Sequence, residues 1–433
     1  MHQVTQMNYR RIVPVRDTSQ AAFARAGLAL IFTFGLLSCA ADTEGLDGEQ
    51  QFTPPAEVAE PQLRPLEQEL FDIAYGAASE MPLSPHIKNR SREQESVVQA
   101  MLLKGQVASA RAATEGIENW RKGLSHGHLA LFSALRGDRV AAEEHIKFAR
   151  NIAANPTEKN VQEWRADRIA ARVLLSEELL SAGMKDLTIS PAIEKGDRAD
   201  DEAIRAHLLK ESELDEFFLT TDSLMQSGDL EEVSRIMQTL AFLHARLYER
   251  SEVRSQIEAL VQQNCVKVPL QICVELKMHL AENMLYKGEK ESAAAWLTEV
   301  SGHMEASSWP PERGLPIEAK LYSLAHRAGD EGSKELLDGL LPKYHQNLRY
   351  IVDIYRAGVL RAIAEAYHEI GDEGSCLSFL RMAVDAGVQN PNSRPRAHDL
   401  TATCLLLIRL DVEPDEDLMN SLRRVRDGLG DPW

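Results

Sequence analysis

The side chains in this 433-residue chain that could do chemistry are few and scattered. His126 and His128 flank Gly127, and two imidazoles that close in sequence could serve a metal ion. On a helix, however, residues two apart point to different faces, and no third ligand stands nearby in the sequence. Arg136-Gly137-Asp138 spells a cell-adhesion tripeptide, but it coincides with a glycine that ends a helix, so it reads as a turn. Four cysteines, Cys265, Cys273, Cys376 and Cys404, lie far down the chain and allow three pairings. Cys376 falls early in one helix and Cys404 late in the next. Asn390-Pro391-Asn392 stands roughly midway, so an antiparallel hairpin brings the two thiols to similar height. A Cys376–Cys404 disulfide, which needs Cα atoms within about 7 Å, is one expectation. Free buried thiols acting as small hydrophobes are the other. There is no glycine-rich phosphate loop, no nucleophile elbow and no His-Glu-x-x-His. No cofactor, no metal and no catalytic residue is therefore expected, and the chain reads as a non-enzyme.

The fifth cysteine, Cys39, stands in a different setting. Ala26 to Leu37 (AGLALIFTFGLL) is a 12-residue apolar run without charge, preceded by arginines. It is too short to span a bilayer, which takes about 20 residues, and has the length of a signal-peptide apolar region. The run ends Leu36-Leu37-Ser38-Cys39. This resembles the bacterial lipobox, in which cleavage before the cysteine is coupled to diacylglycerol attachment at its thiol. The resemblance implies a lipid anchor at Cys39. Ala40 follows, with no aspartate to signal inner-membrane retention, so the expected location is the cell envelope, at the outer membrane where the cell has one.

Net charge is −18, and removing the net +3 of residues 1–38 leaves −21 on the mature chain. A surface this acidic repels phosphates, so no nucleic-acid partner is expected. Ala40 to Pro65 is rich in acid and proline and poor in large apolar residues. Such a stretch cannot offset its ordering entropy by burial and reads as a tether. At about 5–6 Å × √n it would hold a body roughly 25–30 Å from the membrane.

From about residue 67 the apolar residues recur at helical spacing. Aromatics make up only 6% of the chain, and Ala, Leu and Glu are abundant, which favours helices over sheets. One turn recurs between segments: Gly137-Asp138, Gly228-Asp229, Gly288-Glu289, Gly329-Asp330 and Gly371-Asp372, the last three 41 and 42 residues apart. Glycine can end a helix in the left-handed conformation, and the acid after it complements the next N-terminus. Small residues hold fixed offsets around these turns, as Ala281, Ala293, Ala364 and Ala383 do. The pattern resembles degenerate tetratricopeptide repeats, whose usual period is about 34 residues. That resemblance implies an all-α, right-handed α-solenoid of antiparallel helix pairs, stacked in an arc with each pair touching mainly its neighbours. The chain then divides into a signal peptide (1–38), a flexible acidic tether (39–66), N-terminal helical repeats (67–186), an interrupted connection around Pro191 and Gly196 (187–211) and C-terminal repeats (212–433).

In such a repeat the first helix lines the groove, and the positions six and three before the turn glycine face inward. The resemblance thus puts Asp222 and Met225, Glu282 and Leu285, Ser323 and His326, Glu365 and His368 on the concave face. Asp222, Glu282, His326, Glu365 and His368 are the candidate binding residues. The acids among them would favour a basic or amine-bearing ligand. The expected function is a membrane-anchored interaction scaffold holding a protein or peptide. A helical glycan- or solute-binding lipoprotein is the alternative, set back by the scarcity of tryptophan and tyrosine; an all-α enzyme is a more distant one.

Overall fold

A computed structural model describes residues 60–155, 163–180, 206, 209–227 and 230–433, all within the unit Asp47–Trp433. The proposed signal peptide, Cys39 and nearly all of the tether lie outside the described residues, as do Pro191, Gly196 and the Gly228-Asp229 turn. Among the described residues the regular elements are all helical. None of these helices is long and apolar enough to cross a membrane.

The helices are α1 (Pro65–Glu80), α2 (Leu83–Leu103), α3 (Val107–Glu115), α4 (Arg121–Leu135), α5 (Arg139–Ala153) and α6 (Glu163–Leu180). They continue as α7 (Leu214–Ser227), α8 (Leu230–Arg246), α9 (Ser251–Asn264), α10 (Leu270–Tyr286), α11 (Lys290–Glu305) and α12 (Pro311–Ala328). The last are α13 (Gly332–Asp338), α14 (Leu340–Asn347), α15 (Asp353–Glu369), α16 (Glu373–Val388), α17 (Ser393–Leu410) and α18 (Glu416–Asp427).

The turn chemistry read from the sequence is present. Gly137 and Gly371 adopt φ of 74° and 81°, the left-handed region where a Cβ is strained. Asp138 and Asp372 then accept hydrogen bonds from the backbone N–H groups of Ala141 and Ser375, capping α5 and α16. Around these turns α4 packs on α5, α10 on α11 and α15 on α16. The small residues sit where these helices approach: Ala281, Ala293, Ala364 and Ala383 are all fully buried. The 41-residue spacing is taken up by helix length, since α10, α11, α15 and α16 run 16 or 17 residues each. The hairpin opened by α12 departs from the rule, because its return limb is broken at Gly339 into α13 and α14.

The first helices of successive hairpins also lie side by side: α8 against α10, α10 against α12, α12 against α15 and α15 against α17. Here the expectation that each pair touches mainly its neighbours needs correcting, because α1 packs along α17, and α17 also meets α2. The reason is in α17. Leu400 to Ile408 is buried at every position, so this helix has no face for solvent. A helix apolar on all sides must be covered on all sides, and Leu70, Phe71, Ile73, Ala74 and Ala77 of α1 supply the missing cover. At about 1.5–3 kcal/mol for a fully buried large apolar side chain, this contact outweighs the half-exposed ion pairs rimming it, such as Arg64–Glu413 and Arg423–Glu69, each 2.6 Å.

The cysteine expectation is also corrected. The disulfide joins Cys265 to Cys273, with Cα atoms 5.1 Å apart across the α9–α10 connection. Cys376 and Cys404 are both buried free thiols. A bridge needs Cα atoms within about 7 Å, and the short connection between α9 and α10 brings Cys265 and Cys273 inside that reach.

Candidate functional site

Hairpin geometry brings the polar side chains of α10, α12, α15 and α17 into one row. Lys320 of α12 lies between two carboxylates, its Nζ donating to Glu282 of α10 and to Glu369 of α15, each at 2.8 Å. Ser323 Oγ, one turn along α12, donates to the other Glu369 oxygen at 2.6 Å. Arg327 stands 3.9 Å from Glu282 and 3.8 Å from Glu369. Glu365, one turn before Glu369, accepts from Arg409 of α17 at 2.7 Å. Three acids and three bases thus alternate across four helices.

Water still reaches this row. The Glu282, Lys320 and Glu365 side chains are 39%, 32% and 32% exposed. Desolvation is nevertheless the largest influence on each, as expected of a wet recess walled by protein. Burial alone would raise the carboxylates, but Lys320 holds Glu282 below the usual range and Arg409 does the same for Glu365. Burial would likewise lower Lys320, yet Glu282 and Glu369 hold its ammonium above the ordinary lysine value. Glu282, Glu365 and Lys320 therefore keep their charges at neutral pH.

Of the candidate residues named from the sequence, Glu282 and Glu365 belong to this row. They are not bare carboxylates: each has its own cation, so the acid wall expected to favour a basic ligand is compensated within the protein. His326 and His368 hold equivalent places in consecutive hairpins, and the Nδ1 of each is buried with no hydrogen-bond partner. The side chain of Asp222 lies outside the described residues.

The sequence reading missed Lys320, Glu369 and Arg409. A signal for two of them exists in the spacing. Lys320 is 38 residues after Glu282, and Arg409 is 44 after Glu365, which is about one hairpin in each case. Side chains one period apart on parallel first helices become lateral neighbours, so a base one period after an acid marks a rung.

The His-Gly-His run behaves as helical spacing requires. His126 faces His145, with Nδ1 atoms 3.2 Å apart, and stacks on Phe148. His128 turns the other way, to Gln99 and Arg172 at 3.0 and 3.2 Å. Gly127 lets α6 come close, since a Cβ there would lie 3.0 Å from Arg172 Cβ. Among the described residues no group of three or more His, Cys, Asp or Glu side chains is placed to hold a metal ion.

The class these features define is an all-helical protein of antiparallel hairpins with a charge-compensated row along its first helices. No protein-family model, no curated protein and no solved structure matches this chain.

Proposed function

We propose that this protein is a lipid-anchored scaffold of the bacterial cell envelope. In this reading Cys39 carries the lipid, residues 40–59 form most of the tether, and the body is a right-handed solenoid of tetratricopeptide-like hairpins. Its partner is a protein or peptide segment laid across the first helices. The observation that carries the proposal is the alternating row of Glu282, Lys320, Glu369, Glu365 and Arg409. The sign alternates helix by helix, acid on α10, base on α12, acid on α15 and base on α17, and water already reaches the side chains. An extended segment crossing them would meet acid and base in turn, so a partner of mixed charge fits better than a purely basic one. Such alternation selects register, because a shift by one rung sets like charges opposite each other. The membrane is engaged through the lipid alone, nucleic acid is disfavoured by the net charge, and the role is binding rather than catalysis.

The test compares two triple variants made in the full lipidated chain. Glu282→Gln, Glu365→Gln and Glu369→Gln neutralise the row. Glu291→Gln, Glu335→Gln and Asp385→Asn neutralise exposed positions on return helices. Cross-linked partner recovery from native membranes should fall about tenfold in the first, matching a loss of about 1.4 kcal/mol, and stay level in the second. Equal recovery in both would remove the row as the binding site.

A further inference from the structure

The two ends of the chain meet where α1 and α2 lie against α17, and ion pairs bridge the join. Arg64 reaches Asp411 and Glu413, Lys104 reaches Asp411, and Arg423 reaches Glu69. Their cations are guanidinium or ammonium groups, which stay charged throughout the physiological pH range. The pair between Glu93 of α2 and His398 of α17 differs from these. His398 Nδ1 stands 2.9 Å from Glu93 Oε1. An imidazole ordinarily titrates between pH 5 and 8, so the cation of this bridge comes and goes with pH.

Packing makes that change matter. Glu93 lies one turn before Val97, a fully buried residue of the core shared by α1, α2 and α17, so it belongs to the face that α2 turns inward. Its side chain is only 8% exposed, whereas that of His398 is 33% exposed. Solvent protons therefore reach the imidazole, while water hardly reaches the carboxylate. The other charges facing His398 are Asp399 of its own helix, which favours the imidazolium, and Arg361 of α15, which opposes it. Those two are committed to each other. On the remaining sides α17 meets apolar groups, Phe71 and Ala74 of α1, Val384 of α16 and Val425 of α18. Burial disfavours the charged ring, but Glu93 outweighs it and holds the imidazole above its ordinary 6.5.

We propose that Glu93 and His398 form a proton-dependent clasp between the two ends of the chain, tight when the imidazole is charged and looser when it is neutral. A neutral ring can still donate one hydrogen bond, but it leaves a nearly buried carboxylate without a counter-charge. The sign follows from linkage. A group held above its unfolded value binds its proton more firmly in the folded chain, so its contribution is complete below about pH 6.5 and is lost as pH rises. This is opposite to a buried histidine that is held neutral. The clasp acts on α1, the helix through which the tether of the proposed scaffold enters the body, yet it is independent of the ionic row.

The experiment is amide exchange by mass spectrometry on the purified full chain at about pH 6 and about pH 9, read as protection after correction for the intrinsic rate. From the lower to the higher pH, protection in α1 and α2 should fall about fivefold, the difference between a charge-assisted and a neutral hydrogen bond. Protection in α10 and α11, remote from the join, should stay level. His398→Gln and Glu93→Gln should each abolish the fall. His398→Lys, which carries a cation at both pH values, should keep the tighter state at both. Equal protection at the two pH values in the unaltered chain overturns the clasp. So does an undiminished fall in any folded variant of the three, or a fall of the same size in α10 and α11, which would make the change global.

Discussion

Replacing Asp399 by alanine tests whether α17 is held as described. Arg361 of α15 donates from both Nη1 and Nη2 to Asp399 Oδ1 at 3.0 Å, and the two side chains are only 8% and 5% exposed. Removing the carboxylate leaves a guanidinium buried without its counter-charge, which costs about 3–5 kcal/mol. Against a total stability of about 5–15 kcal/mol, that is about a fifth or more. Replacing both partners, Arg361→Met with Asp399→Leu, removes the charge and the desolvation penalty together and should be neutral or stabilising, by up to about 4 kcal/mol. The assay is urea unfolding followed by circular dichroism, with amide exchange read at α1. Because α17 is packed against both α15 and α1, Asp399→Ala should shift the urea midpoint down and speed exchange in α1, although the lost ion pair is with α15. If the double variant is as unstable as the single, the loss comes from packing and the charge argument fails. If α1 exchange is unmoved, the two ends are not coupled through α17.

Acid should weaken the protein through His126. Burial and the neighbouring His145 hold it down to about 4 from its ordinary 6.5. The unfolded chain therefore binds more protons between those values, so this contribution is complete above about pH 6.5 and is lost as pH falls toward 4. His126→Phe should flatten that part of a plot of urea midpoint against pH, and an unchanged slope counts against the assignment. Peptide mapping of the unreduced protein should find Cys265 joined to Cys273, with Cys376 and Cys404 alkylated only after denaturation; rapid labelling of either in the native protein would contradict its burial. Cys39→Ala should move the protein from the membrane to the supernatant fraction, and persistent membrane association would reject the anchor.

What the sequence made legible is what neighbouring residues decide together. Gly137-Asp138 and Gly371-Asp372 specify their turns through backbone strain and a side-chain cap, both contained within a few residues. The small residues flanking them announce close helix approach for the same reason. The pairing of Glu282 with Lys320 is less visible, because it depends on how far one first helix slides along the next. The joining of α1 to α17 is set by packing between ends of the chain and leaves no local motif. It had one trace, the run Leu400–Ile408 with no polar face beyond threonine, which reads as a helix with neighbours on every side.

The meeting of α1 and α17 bears on the order in which the protein can assemble. Thr401 donates to the Ala74 carbonyl 327 residues away, whereas Tyr75 reaches the Ala113 carbonyl across only 38. Closing the longer loop costs about 2 kcal/mol more chain entropy, taking (3/2)RT ln n for each. A ribosome delivers α1 first and α17 nearly last, so Leu70, Phe71 and Ile73 wait with their partner unmade through most of synthesis. Contacts so distant slow folding, and an apolar helix left waiting is open to the wrong neighbour. A chain cut short before α17 would thus strand its own N-terminal helix, which makes the last hairpins a requirement for the first.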